Sequence, residues 1–159
     1  MTIARCAPLL AAVLVAGACH RGGTAAVAAS TAPAPAAAAT GPSLYTRLGG
    51  VDAIRAVVGD FLGRVVADQR INAFFRGVDA GELSARLTDQ ICQVSGGPCR
   101  YAGRPMREVH ASMGIGDSDF DALVEDLGAS LDHFNVGPAE KAELLRTLGG
   151  LRGQIVTKR

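Results

Sequence analysis

The sequence predicts an all-α domain behind a low-complexity leader. From Leu44 onward the apolar residues recur at intervals of three and four, and no run shows the period of two that a half-buried strand needs. Glycine and proline pairs punctuate this pattern at helix-length intervals, as helix stops and starts do.

The leader comes first. Residues 1–18 combine Arg5, an apolar run from Ala7 to Ala18 with Pro8 inside it, and small residues ahead of Cys19. That order reads as a secretory signal, and the run is too short for a comfortable transmembrane helix. Val15-Ala16-Gly17-Ala18-Cys19 resembles a bacterial lipoprotein signal, in which Cys19 becomes the lipidated N-terminus. Ala16 is a weaker choice than Leu in that pattern, so cleavage by the ordinary signal peptidase stays open, as does an untranslated extension ahead of a cytosolic protein. Residues 19–42, rich in Ala, Thr, Pro, Gly and Ser, lack the bulk to repay chain ordering. Pro33 and Pro35 bias them toward an extended tether. The expectation is an exported protein, periplasmic or lipid-anchored to the envelope, touching the membrane only through Cys19.

The domain is expected over residues 43–159, about 117 residues, enough for one core. Leu44, Tyr45 and Leu48 predict an opening turn that stops at Gly49-Gly50. Asp52 can cap the next helix, which carries Ile54, Val57, Val58, Phe61, Leu62 and Val65. After a break at Asp68-Gln69-Arg70, the adjacent Phe74 and Phe75 read as core plugs. Leu83, Leu87, Ile91 and Val94 predict a helix ending at Gly96-Gly97-Pro98. Asp117 or Ser118 can cap a long helix bearing Phe120, Leu123, Val124, Leu127 and Leu131. Pro138 opens a last helix with Leu144, Leu145, Leu148, Leu151 and Ile155.

Between the third and the long helix lies Gly103–Ile115, GRPMREVHASMGI. Pro105 suits a first helical turn, Gly114 suits a stop, and Met106, Val109, His110 and Met113 share one face. An imidazole on an apolar stripe is by itself more often a hydrogen-bonded core residue than a ligand. The other histidines, His20 in the tether and His133 near a helix end, read as solvent-exposed. Cys92 and Cys99 straddle the Gly96-Gly97-Pro98 turn and can form a disulfide in an oxidising compartment or remain inert thiols. They do not make a zinc site, because His110 is the only histidine near them in sequence and a closed site wants four ligands. A net charge of +1 and the absence of Trp argue against nucleic acid as a partner.

Taken together, the motifs resemble the group I truncated haemoglobins. They are Leu44-Tyr45-x-Arg47-Leu48-Gly49-Gly50, Asp60-Phe61-Leu62, Ala73-Phe74-Phe75, Gly96-Gly97-Pro98, Tyr101-x-Gly103-Arg104-Pro105-Met106 and Val109-His110-x-x-x-Gly114-Ile115. The resemblance runs from Ser43 to about Val156. It implies a two-over-two helical sandwich around one haem per chain, with His110 as the proximal iron ligand and Phe75 packed on the porphyrin. Met106 and Met113, on the face of His110, join the expected cofactor contacts. Arg86 is a candidate for a haem propionate, or else an ordinary surface Arg.

The distal side departs from the family. Group I members commonly carry Tyr where this chain has Leu62, and Gln is frequent where it has Leu87. Leu83, the third distal position, is apolar too. An oxygen ligand that draws negative charge would find no donor on these residues, whereas carbon monoxide and nitric oxide need one less. Gln90, two turns after Leu83, either reaches the pocket edge or is solvated. The expected function is reversible binding of a diatomic gas, with an unidentified reductant and no enzymatic turnover. The alternatives are a redox enzyme (a nitric oxide dioxygenase or weak peroxidase) and an envelope electron carrier or gas sensor.

Overall fold

The structure, a computed structural model, describes residues 41–158. The signal segment, Cys19, His20 and most of the tether lie outside these described residues. Among the described residues no helix is long and apolar enough to cross a membrane.

Among the described residues every regular element is a helix: α1 (Leu44–Arg47), α2 (Gly50–Ala67), a 3-10 turn (Asn72–Phe75), α3 (Ala80–Val94), α4 (Met106–His110), α5 (Asp117–His133), α6 (Pro138–Gly149) and α7 (Arg152–Ile155). The long helix α2 is the hub, packing on α3 by one side and α5 by another, while α5 also takes α6. Its Ile54, Val57, Val58, Phe61 and Val65 are all buried, as the three-and-four spacing requires. They meet Ile91, Leu127, Leu131 and Leu144 in one core.

Several helix ends differ from expectation. Gly49 and not Asp52 caps α2. It sits at φ 92°, with Gly50 at 81°, a left-handed pair that turns the chain sharply out of α1. Asp52 lies inside the first turn, where its charge still suits the helix dipole. Gly116 and not Asp117 or Ser118 caps α5, because the Asp119 carboxylate reaches back 2.9 Å to accept from the Gly116 N–H. Pro105 precedes α4 in extended conformation (ψ 139°) and is not its first helical residue. The helix expected at the C-terminus is two pieces, broken around Gly150 and Leu151. Pro138 does open α6.

Cys92 and Cys99 are joined in a disulfide, with Cα atoms 5.7 Å apart. The bond ties the last turn of α3 to the loop that leads into α4. The turn between the cysteines admits only glycine at position 97. A Cβ there would lie 2.7 Å from the Cys92 sulfur and 2.8 Å from the Cys92 carbonyl oxygen. Two further bonds hold the same region. The Tyr101 N–H donates to the Gln93 side-chain oxygen (2.6 Å), and the Tyr45 N–H donates to the Ser95 carbonyl (2.8 Å).

Replacing both cysteines by Ser should lower the free energy of unfolding by about 2 kcal/mol, the loop-closure value for so short a ring. Urea denaturation checks this, with equal midpoints counting against it. A second expectation concerns Asp126 on α5, which has one carboxylate oxygen buried without a partner among the described residues. Burial, with the nearby charge of Asp68, pushes its carboxyl above the usual range. A raised acid destabilises the fold once pH exceeds its folded value and does nothing below its unfolded one. Asp126→Asn should therefore raise the melting temperature at pH 7, and the gain should fade as pH falls toward 3. A gain that persists in acid would exclude this cause.

Candidate functional site

An apolar cleft runs through the middle of the domain, with a volume of about 810 Å³ counted out to its mouth. Every element from α2 onward contributes to its wall. Phe61 comes from α2, Phe75 from the 3-10 turn, and Leu83, Leu87, Gln90 and Ile91 from α3. Met106 and His110 come from α4, with Phe120, Leu123, Val124 and Leu127 from α5. Leu148, Leu151 and Ile155 close the far side. Of the α3 residues, Leu83, Leu87 and Ile91 recur every four and Gln90 follows Leu87 by three, which places them on one face.

His110 separates this cleft from a second void, about 440 Å³ when likewise counted out to its mouth, lined among others by Phe74, Met113, Ile115 and Asp119. Its Nδ1 lies 2.7 Å from the Met106 carbonyl oxygen, one turn back. A carbonyl only accepts, so Nδ1 is protonated, and in the neutral ring Nε2 keeps its lone pair. That tautomer is the one a metal-ligating imidazole needs, with the ring oriented by the bond on its other nitrogen.

No group of three or more His, Cys, Asp or Glu side chains able to hold a metal ion occurs among the described residues. A bare ion would therefore have too few protein ligands here. One imidazole with a free Nε2, facing a large apolar cleft, fits a metal that arrives inside its own flat organic ring. Phe75 lies on both the cleft wall and the second void, beside His110.

The structure brings together most of the residues expected from the sequence and separates three. His110, Phe75, Leu83, Leu87 and Met106 meet at the cleft. Met113 does not; it lies beyond the end of α4, at the second void. Leu62 is half-buried against the core but is not on the cleft wall, where its neighbour Phe61 stands instead. Arg86 turns its guanidinium to Glu82, one helical turn earlier (3.1 Å), and is likewise absent from the wall. That is an ordinary surface pair, worth little to stability.

Gln90 is on the wall, and its amide donates to the Met106 sulfur at 3.7 Å, so it bridges α3 and α4. His133 is exposed, edge-on to Phe134. The α5 and C-terminal residues of the wall were legible only as apolar stripe. Nothing in spacing distinguishes a face that packs on protein from one that lines a cavity.

Comparison with known proteins bears on this geometry. The family model described as "Bacterial-like globin" matches residues 43–157. A "Group 1 truncated hemoglobin" of Tetrahymena pyriformis is 33% identical over 116 residues, covering 73% of this chain and 96% of the relative. The group 1 truncated hemoglobin GlbN of Mycolicibacterium paratuberculosis is 32% identical, covering 72% and 85%. Among solved structures, the Fe(III) form of the T. pyriformis protein superposes with a TM-score of 0.71 at 32% identity, covering 74% of this chain and all of that one. The 2/2 hemoglobin of Synechococcus sp. PCC 7002, solved with covalently attached heme, gives 0.69 at 32% identity with the same coverage.

Proposed function

The chain belongs to the bacterial-like globins, with group 1 truncated hemoglobins as its relatives and their two-over-two helical fold, and from that premise we propose that it reversibly binds a diatomic gas at haem iron held by His110. The observation that carries this reading is the His110 ring. Its Nδ1 proton is committed to the Met106 carbonyl, its Nε2 is free, and it borders a cleft otherwise lined by apolar side chains and one amide. Haem, one per chain, would be held by His110 and would supply an iron able to bind a small ligand.

The chain's own residues do three things toward that group. Leu83, Leu87, Phe61 and the α5 side chains exclude water from the cleft. Met106 fixes the imidazole tautomer and orientation through its carbonyl. Phe75 supplies an aromatic wall beside His110. On the α3 side the only polar group is the Gln90 amide, and it is engaged with Met106. No hydrogen-bond donor is therefore aimed at a ligand from Leu83 or Leu87. A charge-assisted bond of that kind contributes about 1.5–3 kcal/mol. Its absence favours carbon monoxide and nitric oxide, which depend on it less, over oxygen. Peroxidase chemistry wants a distal base, and the cleft wall carries no carboxylate and no imidazole beside His110.

Export completes the proposal. The signal-like residues 1–18 and the Cys92–Cys99 bond both support an oxidising compartment, with Cys19 as a lipid anchor and residues 19–42 as the tether. A reductant in that compartment would keep the iron ferrous.

Absorption spectra of the purified chain, oxidised, reduced, and reduced under carbon monoxide, test the reading. The expected result is a haem spectrum with a single histidine on the reduced iron, lost in His110→Ala. An unchanged spectrum in that variant removes His110 from the iron. Leu87→Gln puts a donor on the wall and should slow oxygen release by about ten- to a hundred-fold. Stopped-flow traces showing equal or faster release would refute the account of the distal wall.

A further inference from the structure

The helix that presents His110 has too little to hold itself. It is five residues long and none of its side chains is buried. An isolated turn of that length does not persist in water, because helix nucleation costs more than one or two hydrogen bonds return. Its main neighbour is α7, at the other end of the domain sequence. Just past α7, the Thr157 and Lys158 N–H groups both donate to the Ile115 carbonyl at 2.9 Å, five residues after His110. Ile155, the last residue of α7, lines both of the cavities that His110 separates.

Yet α7 is only four residues long and buries none of its side chains. It too needs an anchor. Arg152, its first residue, provides one. Its Nη1 donates to Asp117 Oδ1 at 2.7 Å, and its Nη2 donates to Asp121. Its guanidinium carbon lies 4.5 Å from the centre of the Phe120 ring. A planar fork that takes two carboxylates while lying against an aromatic face does what the point charge of Lys cannot. Phe120 is itself buried and lines both cavities, so Arg152 fastens α7 to the element that walls the site.

We propose that Arg152 is a positioning residue for the axial histidine: it clamps α7 to the start of α5, and α7 in turn seats α4 and its His110. The inference rests on the reading of His110 as the iron ligand. Arg152 touches neither the imidazole nor the cleft; it acts through α7.

The test uses the full chain with Arg152→Ala, Arg152→Lys and, as a control, Arg47→Ala. Arg47 also grips two carboxylates, Glu140 and Glu143, but joins α1 to α6 away from His110. Three readouts are taken: the iron–histidine stretching band of the ferrous protein by resonance Raman, the rate of haem transfer to excess apomyoglobin, and hydrogen exchange over Met106–Met113 in the haem-free chain. In Arg152→Ala the band should shift or broaden, haem should leave about five-fold faster, the equivalent of a ~1 kcal/mol contact, and exchange over Met106–Met113 should accelerate. Arg152→Lys should fall between the wild type and Ala, and it carries the test if Ala does not fold. Arg47→Ala should leave the band and that exchange unchanged even if it melts earlier. A wild-type band and exchange in Arg152→Ala, or an equal effect of Arg47→Ala, overturns the proposal. Failure of the wild type to show histidine-ligated haem instead defeats the reading of His110, while the haem-free exchange still decides whether Arg152 holds α4.

Discussion

Presenting one imidazole from a helix that cannot stand alone is the constraint on which the rest of this domain depends. The Nδ1 bond to Met106 orients the ring only while Met106–His110 is helical. That turn persists because of what surrounds it: α7 and the tail at Ile115 on one side, and the Gln90 contact to Met106 on the other. Both α4 and α7 are single turns without buried side chains, so neither contributes much apolar energy of its own. The core proper belongs to α2, α3, α5 and α6, and α2 is its hub. The site is therefore built at the margin of the core and fastened to it by a few polar links.

The disulfide has the same logic on the other flank. It joins the end of α3, which carries the Leu83, Leu87 and Gln90 wall, to the loop that delivers α4. Residues 95–105 contain no helix and, apart from Ser95, none of them is buried, so the loop has little packing to fix it. A covalent link to Cys92, which is fully buried, and the Gln93 bond to Tyr101 replace that packing. The two walls of the cleft thereby share a frame: α3 cannot move far without carrying the approach to His110 with it.

The helical layout and the place of His110 were legible because they depend on pattern. Apolar spacing gives helices, and the Gly49-Gly50 and Gly96-Gly97 pairs mark real stops, each including a left-handed residue. Exact ends were less legible. A cap depends on which side chain reaches back to which N–H, so Asp119 serves α5 from within the helix while Asp117 is taken by Arg152. The break in the last helix was hidden because Leu148, Leu151 and Ile155 keep their periodicity across it. Leu62 and Phe61 show the limit most clearly. Adjacent apolar residues on one helix differ by about 100° of rotation, and only the packing of α2 decides that Phe61 meets the cleft. Arg152 was not legible at all, since its partners lie 31 and 35 residues away.

The apolar wall of α3 has a consequence for the protein as well as for its ligand. A Tyr or Gln aimed into this cleft would be a buried polar group without a partner until a ligand arrived, at a cost of about 1–3 kcal/mol. Leu83 and Leu87 carry no such cost, and each adds hydrocarbon to the surface that would grip a flat apolar ring. A domain whose His110-bearing turn is weakly held gains from that, because retention of the cofactor also stabilises the folded state by mass action. Discrimination among gases and retention of haem thus pull the same positions in opposite directions. At Leu83 and Leu87 this chain has the residues that favour retention.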